Sequence, residues 1–211
     1  SGTVAGAYCS KLFAGLGAQV DRLPRPGAAE FLSAEEHAWF NTAKRDLHLD
    51  ANAPQARATL EKLIGAADVL IDDWGVDALA TYGFDEPALR ARWPQLVYCQ
   101  ITPFGASGPY RGFAADDITL YARSGLMNST GDGAREPLNA QPKIARLTAG
   151  LNAYVGIQLA LMRRTRDGVG ESIDLSVQES AIENLETALS DHLHLKKMPR
   201  RNNDNHSLVP W

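Results

Sequence analysis

The chain has 211 residues, of which 45% are hydrophobic and 22% charged, and its formal net charge is −4. This is the composition of an ordinary globular protein, and the length suits one domain with at most a small appendage. The negative charge argues against nucleic-acid binding, which favours a basic surface. No apolar run reaches the roughly 18 residues that span a membrane, and two cysteines are too few for a disulfide framework.

The first half of the chain alternates between helical and strand patterns. Gly17 stands where a left-handed cap would end the first helix, and Ser33 with Glu36 has the spacing of a capping box. Pro54 suits the first turn of a helix. Helices are therefore predicted at residues 5–16, from 33 onward, 54–66 and 86–93, and strands at 19–23, 46–49, 68–72 and 96–102.

The second half continues the alternation after a loop. Residues 103–112 hold three glycines and two prolines, which exclude a helix or strand there. Asp116 or Asp117 is a suitable cap for a helix that reaches residue 127. The remaining predicted elements are a polar segment at 128–142, a long helix at 145–164, a strand at 173–177, a helix to about 195 and a basic tail at 198–211.

Strands that alternate with helices of ten or more residues predict an α/β fold, with an open, mostly parallel sheet flanked by helices. Ligands bind such sheets at the carboxyl ends of the strands, near a switch in strand order. The loops after residues 23, 72 and 102 are therefore the candidate site.

Several short motifs occur along the chain, and their order and spacing together indicate a protein family. They begin with Ala5-Gly6-Ala7-Tyr8 and include Arg25-Pro26-Gly27 and Lys44-Arg45. The longest runs from Leu96-Val97-Tyr98 into Phe104-Gly105-Ala106-Ser107-Gly108-Pro109-Tyr110. In this order the chain resembles the family III coenzyme A transferases, the CaiB/BaiF group, whose large domain is Rossmann-like.

The resemblance covers nearly the whole chain and implies that the family protein extends beyond it. It implies that residues 1–197 are the large domain without its first strand, and that residues 198–211 start the connection to a small domain. Family dimers are interlinked, so the resemblance also implies a homodimer, or a heteromer with an active homologue. The two cysteines, both in apolar surroundings, suggest reduced thiols and a cytoplasmic location.

The resemblance assigns coenzyme A, or an acyl-CoA, as the ligand together with a small carboxylic acid. Phosphates are held by cationic side chains and free backbone N–H groups. The resemblance places Arg25, Lys44 and Arg45 near the coenzyme, and Gly105 and Gly108 near its thioester end. Without it, the three basic residues are solvated surface charges and the glycines form a tight turn.

The family transfers coenzyme A through a nucleophilic aspartate, which forms an anhydride and then an enzyme thioester. The matching run is Ala145-Arg146-Leu147-Thr148-Ala149-Gly150-Leu151, so Arg146 stands at the position of the nucleophile. A guanidinium has only hydrogen-bond donors and stays protonated. Arg146 can bind a carboxylate or phosphate, but it cannot form an anhydride.

Related racemases use a histidine and an aspartate as an acid–base pair, and the resemblance matches these positions to Asp116 and Arg146. Racemisation is therefore disfavoured. Asp116 and Asp117 have two open interpretations: a catalytic carboxylate pair, or a helix cap and its neighbour. We predict no metal site, because none of the histidines has ligand spacing with cysteines or carboxylates. They are His37, His48, His192, His194 and His206.

Three functions remain open. The chain is an enzyme of acyl-CoA chemistry, a catalytically silent CoA-binding subunit or half that pairs with an aspartate-bearing partner, or an assembly domain that has lost coenzyme A.

Overall fold

The strands form two parallel sheets in the computed structural model, which describes residues 2–25, 32–50, 53–139, 141–185, 188–197 and 201. Strands β1 (Asp21–Arg22) and β2 (Arg45–Asp46) pair with each other. Strands β3 (Val69–Asp72), β4 (Val97–Thr102) and β5 (Ser172–Ser176) lie in the order β3-β4-β5, and both of their pairings are parallel. The predicted α/β fold with parallel strands is confirmed.

Helices connect and flank these strands. They are α1 (Val4–Gly15), α2 (Ala34–Phe40), α3 (Ala56–Gly65), α4 (Glu86–Arg92), α5 (Asp117–Arg123), α6 (Leu126–Ser129), α7 (Ile144–Asp167), α8 (Val177–Ile182) and α9 (Ala188–Leu195). Two short 3-10 turns occupy Leu79–Tyr82 and Glu183–Leu185. Within the described ranges no helix has the length and apolarity that crossing a bilayer requires.

The main core lies between the central strand β4 and helices α1 and α7. Cys9 of α1 and Ala149 of α7 are buried in one cluster with Val97 and Cys99 of β4. The two helices approach closely because their contact surface consists of small residues. A Cβ added to Gly150 would lie 2.7 Å from the carbonyl oxygen of Ala5, so this position of α7 requires glycine.

Helix α1 is fixed at its start by the carboxylate of Asp73, which follows β3 directly. Asp73 accepts hydrogen bonds from the N–H groups of Gly2 at 2.9 Å and Thr3 at 2.8 Å, and from the Thr3 hydroxyl at 2.9 Å. A Cβ on Gly6 would lie 2.3 Å from Oδ2 of the same carboxylate. The start of α1 is therefore bound to the residue that follows the carboxyl end of β3.

A second close backbone contact lies before β5. The N–H of Gly170, a buried residue, donates to the carbonyl of Pro94 at 2.8 Å. A Cβ at Gly170 would lie 2.1 Å from the carbonyl oxygen of Leu96. The chain therefore enters β5 directly against the segment that leads into β4.

Two terminal signals are confirmed. Gly17 follows α1 with a φ of 91°, and Ser33 and Glu36 form both hydrogen bonds of the capping box.

Two predicted helices are interrupted. The helix expected to reach residue 127 ends at Arg123, because Gly125 adopts a φ of 92° and a new helix, α6, starts after it. The last helix, expected as one segment to about 195, is divided into α8, a 3-10 turn and α9. The predicted tail lies outside the described residues apart from Arg201.

Candidate functional site

A buried polar network lies at the carboxyl end of β3, against the middle of β4. Asp72 accepts hydrogen bonds from the Tyr98 hydroxyl at 2.9 Å, from Gln100 Nε2 at 3.1 Å and from the Trp74 N–H at 3.0 Å. Burial raises the pKa of Asp72, although these bonds oppose the shift. The sequence prediction missed this network. Its signal was the two-residue spacing of Tyr98 and Gln100, which places both on one face of β4 beside the end of β3.

The glycine loop after β4 is held in place by charged side chains. The N–H of Ala106 donates to both carboxylate oxygens of Asp174, at 3.0 and 3.1 Å. Arg111 donates to the Ala106 carbonyl at 2.9 Å and pairs with Asp77 at 3.0 Å. Gly105 has a φ of 88°, so a tight turn requires it there.

Gly108 has a φ of 81°, and a Cβ there would meet nothing within 4 Å. Both predicted glycines thus have a conformational role in the loop. Contact of either with a thioester stays a prediction.

The same loop exposes an aromatic surface. The Arg123 guanidinium lies 5.5 Å from the ring centroid of Phe104 and 4.5 Å from that of Tyr110. Tyr110 and Phe113 are exposed and meet edge to face, with centroids 5.5 Å apart. These residues provide an apolar wall with one stacked cation, a combination that no short motif in the sequence had indicated.

Arg25 lies at the end of the first strand region, as predicted. It is exposed, and its Nη1 donates to the carbonyl of Trp74 at 2.8 Å. The structure therefore brings Arg25 to the loop that follows β3. This location places a cation at the sheet edge where ligands of parallel sheets bind.

The side chains of Lys44 and Arg45 both form hydrogen bonds with other groups of the protein. Lys44 Nζ donates to the Ala7 carbonyl at 2.7 Å, Ser10 Oγ at 2.8 Å and Asn41 Oδ1 at 3.2 Å. Burial lowers the pKa of Lys44 to about 8. An ammonium group has three donors, so this conformation leaves none for a phosphate.

Arg45 is exposed and pairs with Asp21 through Nε at 2.7 Å and Nη2 at 2.6 Å. This pair joins the two strands β1 and β2.

Arg146 and Asp117 lie in direct contact at the start of α7. The backbone N–H of Arg146 donates to Asp117 Oδ1 at 3.0 Å, and its Nη2 donates to the carbonyl of Ala115 at 2.7 Å. Asp117 is 8% exposed, and within the described ranges its Oδ2 has no partner. Asp117 therefore caps α7 and not its own helix.

Asp116 precedes α5 and is exposed, and its side chain forms no capping bond. Of the two predicted carboxylates, only Asp116 is accessible to a ligand.

The cysteines are buried and unreactive. Burial raises the pKa of the Cys9 thiol, and it raises that of Cys99 to about 12. Both thiols therefore stay protonated at neutral pH. In the part of the chain that the structure describes, no three histidine, cysteine or acidic side chains are grouped to hold a metal ion.

The sequence of this chain matches the profile of a protein family and resembles several known enzymes. The profile of the family described as CoA-transferase family III matches residues 1–211. The chain is 33% identical over 200 residues to succinate–glutarate CoA-transferase of Agrobacterium fabrum, covering 86% of the chain and 50% of the relative. It is 31% identical over 180 residues to human alpha-methylacyl-CoA racemase, covering 85% of the chain and 46% of the relative.

A solved structure has the same fold. The CAIB/BAIF family protein from Brucella suis is 31% identical and superimposes with a TM-score of 0.82, covering 93% of this chain and 56% of that protein. The chain thus spans about half the length of these relatives.

Proposed function

Since this chain belongs to CoA-transferase family III, we propose that it binds an acyl-CoA and takes part in moving coenzyme A between that thioester and a carboxylic acid. The observation that carries this proposal is the family match over residues 1–211. The Agrobacterium fabrum relative, a CoA-transferase of two dicarboxylic acids by name, supports it. The human racemase relative also acts on a CoA thioester by name, so the thioester is the shared ligand class.

The proposed coenzyme site is the sheet edge at Arg25, Trp74 and the glycine loop. Arg25 is exposed beside the Trp74 carbonyl, and a charge-assisted bond to phosphate is the strongest contact it can offer. Lys44 is the weaker candidate, since its three hydrogen bonds are made inside the protein. Arg45 contacts phosphate only if it leaves Asp21.

Replacing Arg25 by alanine is expected to weaken coenzyme A binding by about 1.5–3 kcal/mol, the cost of one charge-assisted hydrogen bond. This corresponds to roughly a 10- to 150-fold rise in Kd, measured by isothermal titration with coenzyme A. Arg166→Ala is the matched control, since Arg166 is an exposed arginine bonded to Asp167 at the end of α7. An unchanged Kd in Arg25→Ala removes Arg25 from the site. Absence of binding to the wild-type protein favours the assembly hypothesis.

A second candidate function is a catalytically silent CoA-binding half paired with an aspartate-bearing partner. Arg146 favours it, because the side chain at the family's nucleophile position has no lone pair with which to attack a thioester. Under this proposal the chain binds the coenzyme, and the covalent chemistry belongs to the partner. Racemisation is disfavoured for the same reason, since neither acid–base residue of the racemases is present at its matching position.

The absence of covalent catalysis at residue 146 can be tested chemically. After incubation with acyl-CoA, residue 146 should carry no acyl or thioester adduct, as detected by peptide mass spectrometry with and without hydroxylamine. Of the nearby acids, Asp116 is exposed whereas Asp117 is buried. A hydroxylamine-sensitive adduct on Asp116 would contradict silence, because it would mean that the nucleophile has moved.

An apolar stripe on α7 supports association with a second copy or an active homologue. Four large side chains of one helix face are exposed: Leu151 by 46%, Val155 by 48%, Leu159 by 61% and Met162 by 70%. Monomers rarely leave contiguous apolar surface of this kind uncovered. We expect light scattering of the full-length protein to give a dimer or larger, and a monodisperse monomer would contradict this.

Two further proposals concern the domain organisation and the cellular location of the protein. Residues 1–197 are proposed as the large-domain portion of a longer family protein, in line with the half-length match to its relatives. A cytoplasmic location is proposed because Cys9 and Cys99 are free thiols.

A further inference from the structure

Arg146 is a cation in an unfavourable position. It lies in the first turn of α7, where the helix dipole places partial positive charge. Its one side-chain hydrogen bond to the described residues goes to a neutral group, the carbonyl of Ala115. Across the described residues no carboxylate lies within ion-pair distance of this guanidinium, in contrast to Arg22, Arg45 and Arg111, which all have acidic partners.

The guanidinium therefore has unused binding capacity. Arginine has five N–H donors, and one of those of Arg146 is engaged. The side chain is half-buried, so a bond to an anion is screened less than at an open surface. The buried Asp117 forms no ion pair with it: Oδ1 of Asp117 accepts the backbone N–H of Arg146, and among the described residues its Oδ2 has no hydrogen-bond partner.

Exposed apolar side chains stand close in sequence to the group that Arg146 binds. Ala115, to which Arg146 is bonded, lies two residues after the exposed ring of Phe113. The exposed side chain of Ile118 follows Asp117 directly in the chain. A cation without an anion and neighbouring apolar side chains thus occur on one segment, residues 113–118, and the helix that it caps.

We infer that Arg146 is a binding residue for a substrate carboxylate, and this inference rests on the proposed function. A guanidinium binds a carboxylate through two parallel hydrogen bonds, and four of the five donors of Arg146 are left for such a bond in the described structure. The carboxylate has two sources: the free acid, or the second carboxyl group of a dicarboxylic acyl thioester. A neutral thioester carbonyl gains neither the charge nor the second bond.

The test compares adipoyl-CoA with hexanoyl-CoA, which have six-carbon acyl groups and differ in the terminal carboxylate. Isothermal titration of the wild-type protein should give at least about a tenfold lower Kd for adipoyl-CoA, as one charge-assisted bond contributes. Arg146→Gln should abolish this preference, so that adipoyl-CoA and hexanoyl-CoA bind the variant with similar Kd values. Arg166→Gln, on the last turn of the same helix, should retain it. Circular dichroism confirms that each variant is folded.

Free hexanoate and free adipate distinguish the two sources. If the wild-type protein binds hexanoate and Arg146→Gln does not, the site belongs to the free acid. If the effect of the carboxylate is seen only with adipoyl-CoA, the site belongs to the thioester. Either result supports the inference. The inference is overturned if the wild-type protein binds neither free acid and shows no preference for adipoyl-CoA. It is also overturned if a folded Arg146→Gln variant retains every effect of the carboxylate that the wild-type protein shows.

Failure of the proposed function is distinguishable from failure of this inference. If coenzyme A does not bind, the proposed function fails, and the titrations with free acids alone decide the role of Arg146. If Arg146→Gln does not fold, the wild-type protein decides it: the Arg146 Nε–H resonance should shift on addition of adipate. An unshifted resonance at saturating adipoyl-CoA, or at saturating free adipate where CoA does not bind, overturns the inference.

Discussion

Replacing Asp73 by alanine is expected to lower the free energy of unfolding by about 3 kcal/mol or more, since each hydrogen bond to a charged group contributes about 1.5–3 kcal/mol. The carboxylate accepts bonds from the N–H groups of Gly2 and Thr3 and from the Thr3 hydroxyl. It is also a negative charge at the start of α1, where the helix dipole favours it. Urea unfolding at neutral pH, followed by circular dichroism, measures the change.

Two control variants separate the charge from the cap. Asp73→Asn keeps one acceptor oxygen and should lose less stability than Asp73→Ala. Thr3→Ala removes the hydroxyl that caps α1 through the Gly6 N–H and donates to Asp73, but keeps both N–H bonds to the carboxylate, and should cost about 1–2 kcal/mol. Equal stabilities of Asp73→Ala and the wild-type protein would show that α1 does not depend on this attachment to β3.

Replacing Gly170 by alanine is expected to cost about 3 kcal/mol or more, the upper part of the range for overpacking a core. The added Cβ would lie 2.1 Å from the oxygen and 2.5 Å from the carbon of the Leu96 carbonyl. These are backbone atoms leading into β4, so no side-chain rotation relieves the clash. Strand β5 would have to move away from β4, and thermal unfolding measures the loss.

Two other glycines provide graded controls for Gly170. Gly168 has a φ of 74° and free space for a Cβ, so Gly168→Ala carries only the left-handed strain of about 1–2 kcal/mol. Gly112 has free space and no positive φ, so Gly112→Ala should change stability by less than about 0.5 kcal/mol. An alanine at 170 as well tolerated as one at 112 would contradict the close contact.

The elements with strong local signals were predictable from the sequence. Residues 96–102 form an apolar run that became β4, and the Ser33–Glu36 box begins α2 as expected. The interruption after Arg123 was not predictable, because a glycine inside an apolar pattern is compatible with a continuous helix. Only tertiary packing decides whether Gly125 takes the left-handed conformation seen here.

The candidate site was predictable in its location but not in its contacts. The loops after β3 and β4 do lie at one sheet edge, as parallel pairing requires. The sequence could not show that Lys44 turns inward to Ser10, or that Asp117 caps α7 instead of α5. Both are contacts between residues more than 25 positions apart, which no local pattern encodes.

The contact between Arg146 and Asp117 also bears on evolutionary reversibility. A carboxylate introduced by Arg146→Asp would lie on the residue whose N–H binds the buried Asp117. Two neighbouring carboxylates disfavour each other's charged form, so the new group would be introduced beside a like charge. The same change removes the bond to Ala115, which holds segment 115–117 against α7. A return to aspartate at 146 would therefore change more than one side chain: it would place a second acid beside the buried Asp117 and release segment 115–117 from its guanidinium contact.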